Sequence, residues 1–204
     1  MGFYADRVLP HLIHLAMGQA PMASYRRRVI PAAEGRVLEI GVGSGHNLPL
    51  YSAATTSIVG IDPSAALLAM ARTQSRRATS RVEFLEGSAE ALPLNDKSVD
   101  TVVTTWTLCS IPNVERALSE LRRVLTPTGR LLFIEHGRAD DHRVRHWQDR
   151  LTPLWKRVGG GCHLNRPIVD LIEHGGFRIE RVDTEHMPGP KPMTFTYEGS
   201  ARPQ

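Results

Sequence analysis

The sequence predicts an α/β protein in which a mostly parallel sheet is covered by helices on both faces. Three observations support this class. Apolar runs typical of strands alternate with helical patterns along the 204-residue chain, as βαβ units require. The run Val99–Thr105 is rich in β-branched residues, which is typical of a buried strand. An apolar strand ending at Ile40 breaks into the loop Gly41-Val42-Gly43-Ser44-Gly45, and a helix is expected to follow.

Five strands are predicted in the first two thirds of the chain, at residues 36–40, 57–61, 82–85, 99–105 and 130–134. A helix is expected from residue 65 to about residue 78, because Ser64 can cap it. A second helix is expected from residue 114 to about residue 125, with Asn113 as its cap and Gly129 beyond its end.

The remaining segments depart from simple alternation. An inserted helix is predicted at residues 144–158, where Pro153 would kink it, and a shorter helix at 167–174. Residues 177–186 and 192–197 alternate apolar and polar side chains, as two antiparallel edge strands would. The N-terminal residues 4–19 form a broad apolar helical face. We therefore expect one domain over residues 1–204, with a helical cap at 1–34 and an inserted helix and lid at 138–166.

Composition narrows the class of protein. The net charge is +4. Much of the excess positive charge lies in short arginine clusters, which we interpret as solvated helix faces. These clusters are Arg26-Arg27-Arg28, Arg76-Arg77 and Arg122-Arg123. No aromatic residues interleave these clusters, so a nucleic-acid partner is not expected. Two cysteines are too few for a disulfide framework, which favours the cytoplasm. No apolar run is long enough to span a membrane. A peripheral membrane contact through the N-terminal helix and the oligomeric state are left open.

The glycine loop and two carboxylates predict a nucleoside cofactor. Glycines there would let the backbone approach a ligand closely. Asp62, at the end of the second strand, can accept hydrogen bonds from both ribose hydroxyls. A dinucleotide is disfavoured because His46 stands where its fingerprint needs Gly or Ala, and because Glu39 would repel a pyrophosphate. The same carboxylate would attract an ammonium group, so S-adenosylmethionine is the predicted cofactor and S-adenosylhomocysteine its product.

Together with residues 39–45, four further segments resemble the class I S-adenosylmethionine-dependent methyltransferases: 61–63, 87–93, 98–100 and 121–131. The resemblance implies a Rossmann-like, doubly wound sheet of seven strands whose last strand is antiparallel. It also implies the residues that bind the cofactor: Glu39, Gly41, Gly43, Gly45, Asn47, Asp62, Pro63, Ser88, Ala89, Glu90 and Thr105. Ser88 departs from the family pattern, because many members carry Asp there.

A narrower similarity concerns the methyl acceptor. Residues 107–111, Glu135-His136, 147–148, 153–155 and 161–166 resemble the methyltransferase-like proteins that S-methylate alkyl thiols. Those proteins carry an N-terminal hydrophobic anchor, which we do not expect here. Phospholipid N-methyltransferases and quinone-pathway C-methyltransferases share the broader motifs. The expected acceptor is therefore a small molecule, best interpreted as a lipophilic thiol, with phosphatidylethanolamine or a quinol as alternatives.

Three residues are candidates for catalysis: His136 at the end of the fifth strand, His163 after the triple glycine, and Tyr4 in the N-terminal segment. Each histidine also has a simpler interpretation, as a buried side chain bonded to backbone or as a loop residue. Candidates for contact with the acceptor are Trp106, Cys109, Glu135 and Trp147. No metal is expected, because the sequence contains neither H-E-x-x-H nor C-x-x-C.

Overall fold

The computed structural model describes residues 3–204, apart from the side chains of residues 5 and 6. Within that part of the chain, seven strands form one sheet in the order β3-β2-β1-β4-β5-β7-β6. Their bounds are β1 Gly35–Ile40, β2 Thr55–Asp62, β3 Arg81–Glu86, β4 Val99–Thr105, β5 Leu125–His136, β6 Phe177–His186 and β7 Phe195–Pro203. The strands from β3 to β5 pair in parallel, whereas β7 is antiparallel to both β5 and β6. The predicted fold class is confirmed.

Helices cover both faces of the sheet. Their bounds are α1 Leu9–Met17, α2 Ala20–Val29, α3 Ala65–Gln74, α4 Val114–Val124, α5 His142–Val158, α6 Ile168–His174 and α7 Lys191–Thr194. A π-helical stretch, Tyr4–Val8, precedes α1. The predicted caps are confirmed: Ser64 accepts from the amide of Leu67, and Asn113 accepts from the amide of Arg116. Helix α5 begins two residues earlier than predicted, because Asp141 caps it by accepting from two amides.

The order of the strands determines where a ligand can bind. Strand β1 lies between β2 and β4. The connection that leaves β1 therefore runs to one side of this strand, and the connection that enters β4 runs to the other side. In open α/β sheets, the crevice beyond the carboxyl ends of the strands at such a point holds the ligand. Residues 37–40 are buried, so β1 crosses the core between the two helical layers.

One predicted element is wrong. Residues 192–197 do not form a single edge strand, because Lys191–Thr194 is a short helix and the strand begins at Phe195. Proline at the second position suits a helix N-terminus, where its missing amide hydrogen is not needed. Strand β7 is also not at the edge, since it pairs with β5 on one side and β6 on the other. Of the two predicted edge strands, only β6 lies at an edge of the sheet.

Among the described residues, no helix combines the length and the apolar character needed to cross a membrane.

Candidate active site

A cavity of about 260 Å³ lies beyond the carboxyl ends of β1, β2 and β4. Glu39, Asp62 and Thr105 end these three strands and reach its wall. The N-terminal cap closes it from above through Ile13, Met17 and Arg26, and the glycines after α5 contribute Gly159 and Gly160. The helical cap and the predicted lid therefore meet over the same space.

The floor of the cavity holds a buried, hydrogen-bonded carboxylate. Asn47 Nδ2 donates to Glu39 Oε1 at 2.8 Å and to Thr105 Oγ1 at 3.1 Å. Tyr51 donates to Glu39 Oε2 at 2.7 Å. Burial raises the pKa of Glu39 to about 7, although these two hydrogen bonds and the nearby Arg26 favour the charged form. A cation bound in the cavity would find a carboxylate held in place by its own chain.

Arg26 brings a buried positive charge to the same end of the cavity. Its guanidinium donates to the carbonyl of Met17 at 2.6 Å and lies 4.9 Å from the ring centroid of Trp106. Its Nε has no hydrogen-bond partner among the described residues. Burial lowers the pKa of Arg26 to about 10, and Glu39 opposes that shift. The interpretation of the Arg26–Arg28 cluster as a solvated face is wrong for Arg26, which is 4% exposed.

Asp62 connects β2 to the glycine loop. Its carboxylate accepts from the amide of Gly43 at 2.9 Å and from the amide of Ser64 at 2.8 Å. Burial raises the pKa of Asp62, and both backbone hydrogen bonds oppose the shift. Gly43 has a positive φ of 53°, and a Cβ added there would meet only a backbone oxygen at 3.8 Å. Open space above Gly43 is what a close approach of a ligand requires.

The third glycine of the loop has a different role. A Cβ at Gly45 would lie 2.9 Å from Leu48 and 3.1 Å from Ala71 of α3, so this glycine lets the loop pack on the helix. The loop is also joined to the cap, because His14 Nδ1 lies 2.8 Å from Ser44 Oγ and His46 Nε2 lies 3.0 Å from the carbonyl of His14.

The far end of the cavity borders the turn after β3. Pro63, Ser88 and Ala89 line it, and their predicted contact with the cofactor stays a prediction. Glu90 is held elsewhere, because its carboxylate accepts from the amide of Asn113 at 2.7 Å. Ser88 is not free to turn fully toward a ligand, since its Oγ accepts from the amide of Glu90 at 3.2 Å.

An apolar wall lies opposite the glycine loop. Trp106 has a positive φ of 50°, an uncommon backbone for a bulky residue, and its amide donates to the carbonyl of Ile134 at 2.7 Å. Its indole Nε1 is buried and has no partner among the described residues. Ile111 and Pro112 continue this wall; Ile111 belongs to the segment 107–111 that carries the narrower similarity, whereas no pattern in the sequence points to Pro112.

Several residues predicted for catalysis or acceptor contact form a cluster behind this wall. Sγ of Cys162 lies 3.4 Å from Sγ of Cys109 and 3.7 Å from Nδ1 of His136. Glu135 is buried and accepts at Oε1 from the hydroxyl of Thr104 and the amide of Thr107. Cys109, Glu135, His136 and Cys162 are not among the described residues that line the cavity, although Thr107 is. Catalysis by His136 and acceptor contact by Cys109 and Glu135 stay predictions.

Three further predicted residues lie at the margins. His163 Nδ1 is 3.1 Å from the carbonyl of Cys109. Tyr4 donates to the carbonyl of Val158 at 2.9 Å, which joins the N-terminal stretch to the end of α5. Trp147 is 53% exposed on α5. The catalytic roles of His163 and Tyr4 and the acceptor contact of Trp147 stay predictions.

Comparison with known proteins follows this geometry. A family model described as a methyltransferase domain matches residues 38–133. The chain is 32% identical over 161 residues to a thiol S-methyltransferase of Rattus norvegicus, covering 77% of this chain and 65% of the relative. It is 37% identical over 167 residues to a phosphatidylethanolamine N-methyltransferase of Cereibacter sphaeroides, covering 79% of this chain and 75% of that protein.

The chain thus spans slightly less than two thirds of the length of the rat relative. A solved structure, an S-adenosylmethionine-dependent methyltransferase of Thermotoga maritima, matches with a TM-score of 0.71 at 23% identity, covering 99% of this chain and 98% of that one. At that identity, the match shows a shared fold.

Proposed function

Because this chain belongs to the class I S-adenosylmethionine-dependent methyltransferases, we propose that it methylates the sulfur of a small lipophilic thiol. The observation that carries the proposal is the wall of the cavity. Apart from Arg26, which lies on one side of Trp106, the described lining around Trp106 and Ile111 is apolar or hydroxylic and carries no carboxylate. It suits an apolar acceptor that can ionise without a dedicated base.

The cavity fits the amino-acid end of the donor. Glu39 would face the ammonium group, and Arg26, whose Nε lacks a partner among the described residues, would face the carboxylate. Asn47 Oδ1 is a second buried atom without a partner there, and it can accept from the same ammonium group. Opposite charges on one wall match a zwitterion, and each would otherwise be costly to bury.

The nucleoside end fits the opposite side. Asp62 would accept from the ribose hydroxyls, because its two oxygens each retain acceptor capacity beyond the bonds from Gly43 and Ser64. Ala89 and Leu67 offer apolar contacts to a flat base, and Ser88 offers a hydroxyl. The open space at Gly43 lets the backbone pass close to the ligand.

When bound, the donor supplies an electrophilic methyl group on a sulfonium, and its leaving group departs neutral without needing an acid. The chain's contribution is to hold the acceptor in line and to exclude water. The cap residues Ile13 and Met17 cover the cavity, and Trp106 and Ile111 bound the acceptor side. Alignment of this kind can supply up to roughly 7–11 kcal/mol in ideal cases.

The nature of the lining favours a thiol over an amine. A thiol with a pKa of about 8.5 gives some thiolate near neutral pH, whereas an ammonium group must first lose its proton to a base. His46 is the only histidine among the described lining residues, and its Nε2 lies 3.0 Å from a backbone carbonyl. Burial lowers the pKa of His46.

A test compares three acceptors that differ in one atom: an alkyl thiol, and the amine and the alcohol of the same chain length. A quinol and phosphatidylethanolamine vesicles complete the panel. Purified protein and donor are incubated with each acceptor, and methylated products are measured by mass spectrometry. Product from the thiol is expected, and less of it with Asp62→Ala when the donor is not saturating. Product from another acceptor and none from the thiol would reject the proposal.

Phosphatidylethanolamine N-methylation is the second candidate. It is favoured by the Cereibacter relative, whose identity and coverage both exceed those of the rat thiol enzyme. It predicts product only when vesicles are present, and the same panel separates the two activities.

A further inference from the structure

The cluster behind the cavity wall has the composition of a metal site. One ligand atom from each of Cys109, His136 and Cys162 lies within 4.8 Å of the other two. Their positions in the chain are far apart: the loop after β4, the end of β5 and the loop after α5. Chain folding alone has brought two thiols and an imidazole together, and the proposed methyl transfer uses none of them.

The spacing of the atoms is close to that of the ligands around a tetrahedral ion. Zn²⁺ with bonds of about 2.3 Å to sulfur and about 2.0 Å to nitrogen sets its ligands roughly 3.5–3.8 Å apart. The two sulfurs are separated by 3.4 Å, and Sγ of Cys162 lies 3.7 and 3.8 Å from the two ring nitrogens of His136. To hold an ion, the two sulfurs would have to move slightly apart, and the imidazole would have to rotate so that one nitrogen faces the common centre.

Charge and chemistry also agree. Binding a divalent cation would release the two thiol protons and leave two thiolates and one neutral imidazole, which makes the buried site electrically neutral. Soft thiolates with imidazole are donors that select Zn²⁺ over Mg²⁺ or Ca²⁺. Nearby, Ser110 Oγ lies 3.5 Å from Sγ of Cys109, and the guanidinium of Arg166 is occupied by the carbonyls of Leu108 and Ile111.

We propose that Cys109, His136 and Cys162 bind one Zn²⁺ ion with three protein ligands and one open position. The ion would fasten the glycine segment after α5, which carries Gly159 and Gly160 onto the cavity wall, to the ends of β4 and β5. This replaces our expectation from the sequence that no metal binds. The proposal is independent of which acceptor is methylated, because its ligands are not part of the described cavity lining.

The first test uses the full chain, reduced and stripped with a chelator, and titrated with Co²⁺. Tetrahedral thiolate ligation is expected to give visible ligand-field bands at one ion per chain, and Zn²⁺ is expected to bleach them. The bands should be lost in Cys162→Ser and His136→Asn. His146→Asn, which changes an exposed histidine on α5, is the matched control and should keep them. Circular dichroism checks that each variant is folded.

A second test needs no variant. Of the two cysteines, Cys109 is buried and Cys162 is partly exposed, so the rate at which the native, reduced protein is alkylated reports on Cys162. Zn²⁺ is expected to protect Cys162 from alkylation, whereas Mg²⁺ should not. Absence of Co²⁺ bands in the reduced wild type, bands that survive both ligand variants, or an unprotected Cys162 with Zn²⁺ present would overturn the proposal. A pair that forms a disulfide in air but binds no Co²⁺ when reduced would identify a redox pair instead.

Discussion

Glu39 gives the sharpest prediction about the donor site, because its charge should change within an accessible pH range. Burial raises its pKa to about 7 in the free protein. Only the ionised form attracts the donor's ammonium group, so a proton must leave Glu39 when the ligand binds. A group with this pKa is about half ionised at pH 7 and about one tenth ionised at pH 6. The affinity should therefore be about fivefold weaker at pH 6 than at pH 7.

The assay is calorimetric titration with S-adenosylhomocysteine, which has the same amino-acid end and does not react. Glu39→Gln should bind more weakly by about 1.5–3 kcal/mol at pH 7, because an ionic hydrogen bond is lost, and its affinity should no longer fall between pH 7 and pH 6. Methylthioadenosine, which lacks the amino-acid end, is the control ligand. Its affinity should be almost insensitive to both the pH change and the Glu39→Gln substitution.

Equal affinities of the wild type for S-adenosylhomocysteine at pH 6 and pH 7 would refute this reasoning. So would a slope that survives in Glu39→Gln, since the titrating group would then have to be another residue, for example His46 in the same cavity.

Four further predictions test the remaining parts of the site. Arg26→Met should weaken S-adenosylhomocysteine binding by about 1.5–3 kcal/mol, because the guanidinium would face the carboxylate of that ligand. Methylthioadenosine, which lacks this carboxylate, should bind unchanged. Calorimetry with both ligands checks this, and equal losses of affinity for the two ligands would contradict it. Asp62→Ala should weaken both ligands by about 1–3 kcal/mol, since both carry the ribose; an unchanged affinity in the same titration would remove Asp62 from the ribose site. Gly43→Val should abolish donor binding, as measured by calorimetry. It should also lower the free energy of unfolding by about 1–2 kcal/mol, as measured by urea unfolding, because position 43 has a positive φ. Retained donor binding would contradict the close approach of the ligand to the backbone. Finally, the folded state holds the proton of Glu39 to a higher pH than the unfolded chain does, because burial raises its pKa from 4.5 to about 7. Glu39 should therefore lower wild-type stability by up to about 3 kcal/mol as pH rises through that window, and the fall measured by urea unfolding should be smaller by that amount in Glu39→Gln. A fall of equal size in both proteins would contradict this, since Asp62 and Glu135, whose pKa values burial also raises, contribute to both.

The sheet and the donor end of the cavity could be predicted because their signals are local. Strand β1 and the glycine loop are contiguous in sequence, and Asp62 follows the next strand directly. Parallel strands bring their carboxyl ends to one edge, so the approximate meeting of Glu39, Asp62 and Thr105 follows from order alone. Their detailed partners, such as the amide of Asn47 between Glu39 and Thr105, needed the folded loop.

Contacts between distant segments could not be predicted in the same way. Arg26 lies beside two other arginines, and its burial depends on how α2 packs against Trp106, which no helical pattern reveals. Sequence motifs for metal sites have short spacings within one segment, whereas Cys109, His136 and Cys162 come from three loops and strand ends. Alternation of side chains predicts a strand over residues 192–197, but it does not reveal the short helix that begins at Lys191.

The cap and the donor site are connected through polar bonds rather than apolar contacts alone, and this has a mechanical consequence. Arg26 donates to the last residue of α1, Met17, and His14 of α1 bonds to Ser44 of the glycine loop. A carboxylate that binds Arg26 would neutralise a buried charge and stabilise the position of the cap at the same time. Since Ile13 and Met17 cover the cavity, the donor's amino-acid end would help to build the roof under which the acceptor is held. The donor should therefore bind before the acceptor, because the enclosed acceptor space depends on groups that the donor fixes.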